Sequence, residues 1–533
     1  MRVVAIVLPS LALEVVRLVP GAPLEGEPRP ARAVVLASRP DMDESSLTGN
    51  VRIHAVCEKA RAAGILPGQT IAAARARLAS LTVGLVTEEA LVRALERLAE
   101  SSLAFGATVA FARGTAGDDT VWVDVTGCAH LFADPRPHEP GVEPAELTGE
   151  ARLLERLEGM VRASGHACRL ALAGGPRVAR SIATALVGTS TSHLLVPHGR
   201  DHEALSELPI EGLPLDEPTV RTLRRLGLRT ARDLLTLPRK ALGARLGTEA
   251  ARLLPLLEGD DRTPLTPYVP PKCPSETIEL EYGTDSLEAL GFVVATLTSR
   301  LASRLEGRGV GVTKLSLVLE LDARARPDDT LPAGPRPRRT RRTLTLTLPV
   351  PMSNPKEMRV LLRTRLERTM LPAPVLALTL RADEHAPRPE VPRSLFEPES
   401  REARALPLLV AELCTELGEA SVGKLTLGDS WSPSERSTLV PFFAKVPARP
   451  AYDPGPSLSP QASPEPSCLL PEPMPVSRRL VVPFRFVARY ESLAWWREPS
   501  GPRDVVAATV EGRPAWVELD KTLGAARVLG WLD

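Results

Sequence analysis

The chain has 533 residues, 43% of them hydrophobic, and carries 66 basic against 65 acidic side chains for a formal charge of +1. That length implies several domains rather than one core. The balanced charge excludes a global polycation, so any nucleic-acid contact must come from local clusters. The six cysteines, Cys57, Cys128, Cys168, Cys273, Cys414 and Cys468, include no Cys-x-x-Cys pair, which argues against structural zinc or a disulfide framework and fits a reducing cytoplasm.

In chain order, Val3 to Leu8 predicts a buried strand closed by Pro9. Met1 to Leu18 is apolar but has only Arg2 ahead of it and no small-residue cleavage signature, so a strand is expected rather than a signal peptide, and no run is long enough to span a bilayer. Ala31 to Leu36 offers a second short strand, and the Ala- and Arg-rich stretch from Val56 to Leu81 is helical in type, interrupted at Gly64 and Pro67-Gly68. Leu91, Leu95 and Leu98 give Glu88 to Ser101 one apolar helical face. After a candidate strand at Ala107 to Phe111, Trp122, Asp124 and Thr126 alternate with Val121, Val123 and Val125, a period of two that predicts a strand ending at Gly127. Asp118 and Asp119 lie at its lip. A carboxylate there could hold a divalent cation, but metal-assisted phosphoryl transfer needs more than one, from neighbouring strands, and Val3 to Leu8 contains no acid. A helix at Ala151 to Ala163, an apolar run at Arg169 to Ala173 and a helix at Val178 to Leu186 complete an α+β sheet with its helices expected on one face.

Thr219 to Leu257 is helical throughout. Within it, Val220 to Leu235 reads as helix, tight turn and helix, with Gly227 permitting the turn and Thr230 placed to cap the second helix. This is the helix-hairpin-helix pattern of sequence-independent DNA binders, whose turn amides can meet a phosphate with Arg225 and Arg229 nearby; a hairpin that only packs is the alternative. Glu276 to Ala386 predicts a second α+β unit of strand, helix, two strands, helix and strand. Its strand Thr340 to Leu348 is preceded or begun by Arg336, Arg338, Arg339, Arg341 and Arg342, either a phosphate-tracking patch or a solvated strand edge. Fifty-three prolines, about twice the usual share of roughly 5%, crowd the loops and the segment Pro447 to Pro475, which reads as a linker. The last segment, from Leu480, holds Trp495, Trp496, Trp516 and Trp531 and reads as a small β-rich module, the tryptophans being either its core or a recognition surface.

Cys57 to Thr70 is similar to a fingers motif, Val121 to Gly127 to a palm strand, Leu226 to Leu228 to a thumb hairpin and Glu276 to Arg381 to a little finger, and in this order the chain resembles the Y-family translesion DNA polymerases. Within them it resembles the catalytically degenerate ImuB-like branch, to whose C-terminal extension Trp495-Trp496 and Gly530 to Asp533 are similar. The resemblance implies an α+β multidomain, polymerase-like right hand: a palm at 1–15 and 78–190, fingers at 16–77, a thumb with helix-hairpin-helix at 200–268 and a little finger at 275–386. A clamp-peptide and helical segment at 387–446, a Pro/Ser-rich linker at 447–479 and a small Trp-rich module at 480–533 follow.

The resemblance also exposes departures. Active members carry a metal-binding Asp in their first strand, two residues before a second acid and just ahead of two aromatics, places where this chain has Val7, Pro9, Leu11 and Ala12; in the second motif Asp119 remains as a remnant while the Glu position is Thr120. One carboxylate cannot hold two magnesium ions for an in-line displacement, so no nucleotidyl transfer and no metal or cofactor is expected. The expected role is a DNA-binding adaptor in the SOS-type damage response, cytoplasmic and nucleoid-associated. Its DNA contacts would be Arg225, Gly227, Arg229, Thr230, Arg338, Arg339, Arg341 and Arg342. Its protein partners would be the beta sliding clamp through Ser394, Leu395 and Phe396, an error-prone replicative-type polymerase and a RecA-like (ImuA-like) accessory protein. An active polymerase using Glu14 or Asp118, or a clamp-independent repair factor, are the alternatives.

Overall fold

The computed structural model describes residues 1–17, 31–37, 42, 47–113, 119–133, 145–322, 339–388, 401–427, 437–442, 466, 468–490 and 502–532. The chain divides into two units, Met1–Arg401 and Glu402–Asp533.

The first unit begins with β1 (Val3–Leu8) and α1 (Leu11–Arg17). A small sheet follows, built from β2 (Arg32–Leu36), β3 (Ala55–Val56) and, after α2 (Glu58–Ala62) and α3 (Ile71–Arg77), β4 (Thr82–Val86). Because β4 pairs in parallel with β2, this sheet runs past the expected fingers boundary at 77. Next come α4 (Glu88–Ser102), β5 (Thr108–Ala112), β6 (Asp119–Asp124), α5 (Ala145–Ala163), β7 (Arg169–Ala173), α6 (Pro176–Ala185) and β8 (His193–Leu195). They form a five-stranded sheet ordered β5-β6-β1-β7-β8, with β1 antiparallel to both of its neighbours.

β1 is the central strand, and every one of its side chains is fully buried. Val4, Ile6 and Leu8 pack with α4 and α5, while Ala5 and Val7 join α6 and the helices that follow. Helices therefore cover both faces of this sheet, not one as the sequence pattern suggested. That is why Val3 to Leu8 reads as an unbroken apolar run instead of alternating. β6 is anchored at two points, mid-strand and at its C-terminal end. Trp122 donates through Nε1 to the Pro176 carbonyl at 2.9 Å, and Asp124 Oδ1 accepts from the Thr126 amide at 3.0 Å and its hydroxyl at 2.6 Å, closing the turn at Gly127, whose φ is 76°.

Five helices follow: α7 (Asp201–Ser206), α8 (Glu217–Arg225), α9 (Ala231–Leu235), α10 (Arg239–Leu246) and α11 (Thr248–Leu257). After a connecting segment come β9 (Ser275–Thr284), α12 (Leu287–Gly307), β10 (Val310–Asp322), β11 (Arg339–Met352), α13 (Pro355–Glu367) and β12 (Val375–Pro387), the second α+β unit expected from the sequence. Its antiparallel sheet is ordered β11-β10-β12-β9.

In the second unit, α14 (Arg401–Leu417) precedes the hairpin β13 (Gly423–Leu427) and β14 (Ser437–Pro441). A five-stranded antiparallel sheet then combines β15 (Cys468–Val476), β16 (Val481–Tyr490), β17 (Arg503–Val510), β18 (Arg513–Asp520) and β19 (Ala526–Trp531) in the order β15-β19-β18-β17-β16. Its first strand lies inside the segment expected to be a linker. Trp516 is buried in the module, as a core role for the tryptophans requires, whereas Trp495 and Trp496 lie outside the described residues. Among the described residues no helix is long and apolar enough to cross a membrane.

Candidate functional site

In the palm-like sheet, Val7 pairs with Thr120 and Leu8 with Asp119. Directly opposed residues of an antiparallel pair share a face, so Val7 and Asp119 lie on opposite faces and do not meet. Asp119 is only 1% exposed. Both of its oxygens accept from Arg113 Nη1 at 2.9 Å, while Arg113 Nε and Nη2 donate to the two oxygens of Glu88 at 2.8 and 3.1 Å. His54, half-buried in the small sheet, feels this cluster: burial first, then the Arg113 charge, lowers its pKa below the usual histidine value. The pair of magnesium ions that the sequence resemblance implies does not fit these residues. The first-strand positions are apolar and packed, and the remaining carboxylate is already bonded to a guanidinium.

Glu14 is equally committed, its carboxylate meeting His166 Nδ1 and the Ala167 amide, each at 2.9 Å. Asp118 lies outside the described residues.

A helix, a tight turn and a second, five-residue helix form between Glu217 and Leu235. α8 is capped by Asp216, Gly227 adopts φ 84°, and Thr230 and Asp233 make a reciprocal capping box at the start of α9. The amides that were expected to face phosphate are nevertheless engaged. Gly227 donates to Arg224, Leu228 to Leu223 and Ala231 to Leu208, while the Arg229 and Thr230 amides both donate to Asp233 Oδ2 at 2.9 Å. Those two amide bonds, led by Arg229, hold the Asp233 carboxyl below its ordinary range. What the turn presents outward is the pair of exposed guanidinium groups of Arg225 and Arg229, neither of which is in an ion pair among the described residues. Their neighbour Arg224 is engaged by Glu211.

The arginine run does not form one patch. Arg339 and Arg341 are paired opposite Asp322 and Glu320 on the face that carries Thr343, Thr345, Ser316 and Arg381, whereas Arg342 sits opposite Leu319 on the other face and donates to the Met370 carbonyl. A strand turns successive side chains to opposite faces, so consecutive arginines cannot all track one phosphate backbone. Arg339 and Arg341 both bond Glu320, at 2.9 and 3.0 Å, and the Arg339 bond foremost keeps that carboxyl below its usual range. Arg338, Ser394, Leu395 and Phe396 lie outside the described residues.

Sequence reasoning missed Arg113 and Glu88, since their pairing with Asp119 joins three elements and leaves no spacing signal. It also missed Lys314 and Arg381, which the period-two pattern of β10 and β12 could have placed on the open face with Thr345.

The first unit thus joins a helix-covered mixed sheet, in which only β7 and β8 run parallel, a small side sheet, a helical segment and a separate four-stranded sheet, a mixed α/β arrangement. No family model matches the chain. It is similar to solved Y-family DNA polymerases: a chimeric one (14% identity, TM-score 0.39) and the Dbh DNA polymerase as an insertion ternary complex (15%, 0.38), in each case over 72% of this chain and 99% of the other. It is also 29% identical over 265 residues to Protein ImuB of two Caulobacter vibrioides strains, a match covering 50% of this chain and 53% of the relatives. The chain spans about half the length of the curated relatives it matches.

Proposed function

We propose that this chain is a non-catalytic DNA-binding adaptor of error-prone damage repair and translesion synthesis. In this reading it links the sliding clamp to an error-prone replicative-type polymerase and a RecA-like accessory protein, within the cytoplasm at the nucleoid. The observation that carries the reading is the palm-like sheet: β1 is apolar on both faces, and Asp119, opposite Leu8 on the neighbouring strand, is bonded to Arg113. A site built this way lacks the carboxylates that would bind two metal ions and stabilise phosphoryl charge. The similarity to Protein ImuB supports the same assignment. Engagement of Glu14 by His166 and the Ala167 amide speaks against an active polymerase that recruits it.

The grip on DNA falls to Arg225 and Arg229 at the hairpin and to the open sheet face that carries Arg339 and Arg341. Each phosphate contact contributes roughly 0.9 to the slope of log affinity against log salt. Replacing Arg339 and Arg341 together by Ala should weaken binding to every duplex sequence and reduce that slope by about 1–2. Arg342→Ala should leave the slope unchanged, because its guanidinium is on the other face. Fluorescence-anisotropy titrations at several salt concentrations read both; equal effects from the two sets would remove the sheet face from the interface. For recruitment, replacing Leu395 and Phe396 by Ala should abolish pull-down of the clamp. Retained pull-down would favour a clamp-independent repair factor.

A further inference from the structure

We infer that Arg113 is the resident cation of this palm, a guanidinium standing between Asp119 and Glu88 in competition with any divalent metal ion. The inference rests on the non-catalytic reading and deepens it. Asp119 is 1% exposed, and a carboxylate so deeply placed needs a counter-charge. The strand beside it supplies none, since Leu8 is its directly opposed partner. Arg113 answers with a planar fork that uses three nitrogens at once. Nη1 reaches both oxygens of Asp119, and Nε and Nη2 reach the two oxygens of Glu88.

This fork ties the end of β5 to the first residue of β6 and to the first turn of α4, three elements that a metal ion would otherwise have to bridge. Glu88 is half exposed, whereas the Arg113 side chain is 18% exposed, so the guanidinium sits below the surface with its charge aimed at the buried acid. A guanidinium provides a permanent single charge and directed donors, but it has no open coordination position and cannot activate a water or bridge phosphate oxygens as a metal can. Among the described residues no group of three His, Cys, Asp or Glu side chains stands ready to hold a metal. The two carboxylates held by Arg113 are therefore an occupied pair, and removing the arginine converts them into a weak divalent-cation site.

The test uses the full-length protein, manganese chloride as the probe, and the variants Arg113→Ala, Asp119→Asn and the double variant. Thermal unfolding is followed with and without manganese, and binding by the electron paramagnetic resonance of free Mn²⁺. Arg113→Ala should lower the unfolding midpoint by several degrees, because it takes the guanidinium counter-charge away from a buried carboxylate. Adding Asp119→Asn should restore part of that loss. Arg113→Ala should also bind Mn²⁺ at least tenfold more tightly than the unaltered protein and be stabilised by it, both effects vanishing in the double variant. If Arg113→Ala does not fold while the double variant does, the same dependence on the stranded charge is shown. The inference is overturned if the unaltered protein already binds Mn²⁺ as tightly as Arg113→Ala, if the double variant is no more stable than Arg113→Ala, or if neither folds. Failure of the non-catalytic reading is seen separately, as primer extension by the unaltered protein.

Discussion

Replacing Glu100 by Ala should destabilise the first unit by about 3–5 kcal/mol, the cost typical of stranding one half of a buried ion pair. Glu100 is fully buried on α4 and accepts from Arg304 Nη2 at 2.9 Å, Arg308 Nε at 2.6 Å and the Tyr268 hydroxyl at 3.2 Å. Arg304 continues the network to Glu276 Oε1 and the Ser275 carbonyl, each at 2.8 Å, and Arg97 of α4 meets the other oxygen of Glu276 at 3.1 Å. Two helices from separate sheets are thus joined by alternating charges. Burial works against the Arg304 charge, but Glu100 and Glu276 outweigh it and raise its pKa; burial and the nearby Arg97 push that of Arg300 down to about 10. Removing Glu100 leaves Arg304 with Glu276 as its carboxylate partner and Arg308 with none among the described residues, so Arg308→Ala, which keeps the Glu100–Arg304 pair, should cost less. Denaturant unfolding measures both, and limited proteolysis between residues 258 and 274 should quicken in Glu100→Ala. A loss below about 1 kcal/mol, the range of exposed pairs, would mean that the network does not hold the two sheets together.

The same junction should reject a single methyl group. A Cβ on Gly307, at the end of α12, would lie 2.1 Å from the Glu100 carbonyl oxygen and 2.8 Å from Ser101 Cα, both backbone atoms that cannot swing aside. Gly307→Ala should therefore force the helices apart at a cost of about 1–3 kcal/mol or more, as overpacking does. Gly291, on the same helix with nothing within 4 Å of its would-be Cβ, provides the control. There Ala should stabilise the helix by up to about 1 kcal/mol through propensity alone. Opposite signs at the two positions, measured by thermal unfolding, would establish that close approach of α12 to α4 is required. Equal signs would contradict it.

Period and capping carried the local elements into view: the apolar run of β1, the Leu91-Leu95-Leu98 face of α4 and the Gly227 and Thr230 signals of the hairpin all formed where the pattern put them. Partnership across the chain was not legible. Nothing in the spacing of Arg113, Asp119 and Glu88, or of Glu100, Arg304 and Glu276, states that they meet, because each set is assembled by tertiary packing. The second helix-bearing face of the palm-like sheet was hidden for the same reason, since α6 packs there through residues remote from β1. The strand β15 was concealed by Pro471, Pro473 and Pro475, which argue against a central strand. It survives because it is an edge strand, with its pairing interrupted between Leu469 and Met474. The arginine run was read as one patch because composition was weighed before the two-residue period that divides Arg341 from Arg342.

The proposed loss of chemistry in the palm-like sheet, with DNA binding retained, is tested most directly by primer extension with the purified protein, a primed template, all four deoxynucleotides and magnesium or manganese. The expected result is a shifted, protein-bound template with no elongated primer under either metal. Robust incorporation that disappears in Asp119→Ala would contradict it.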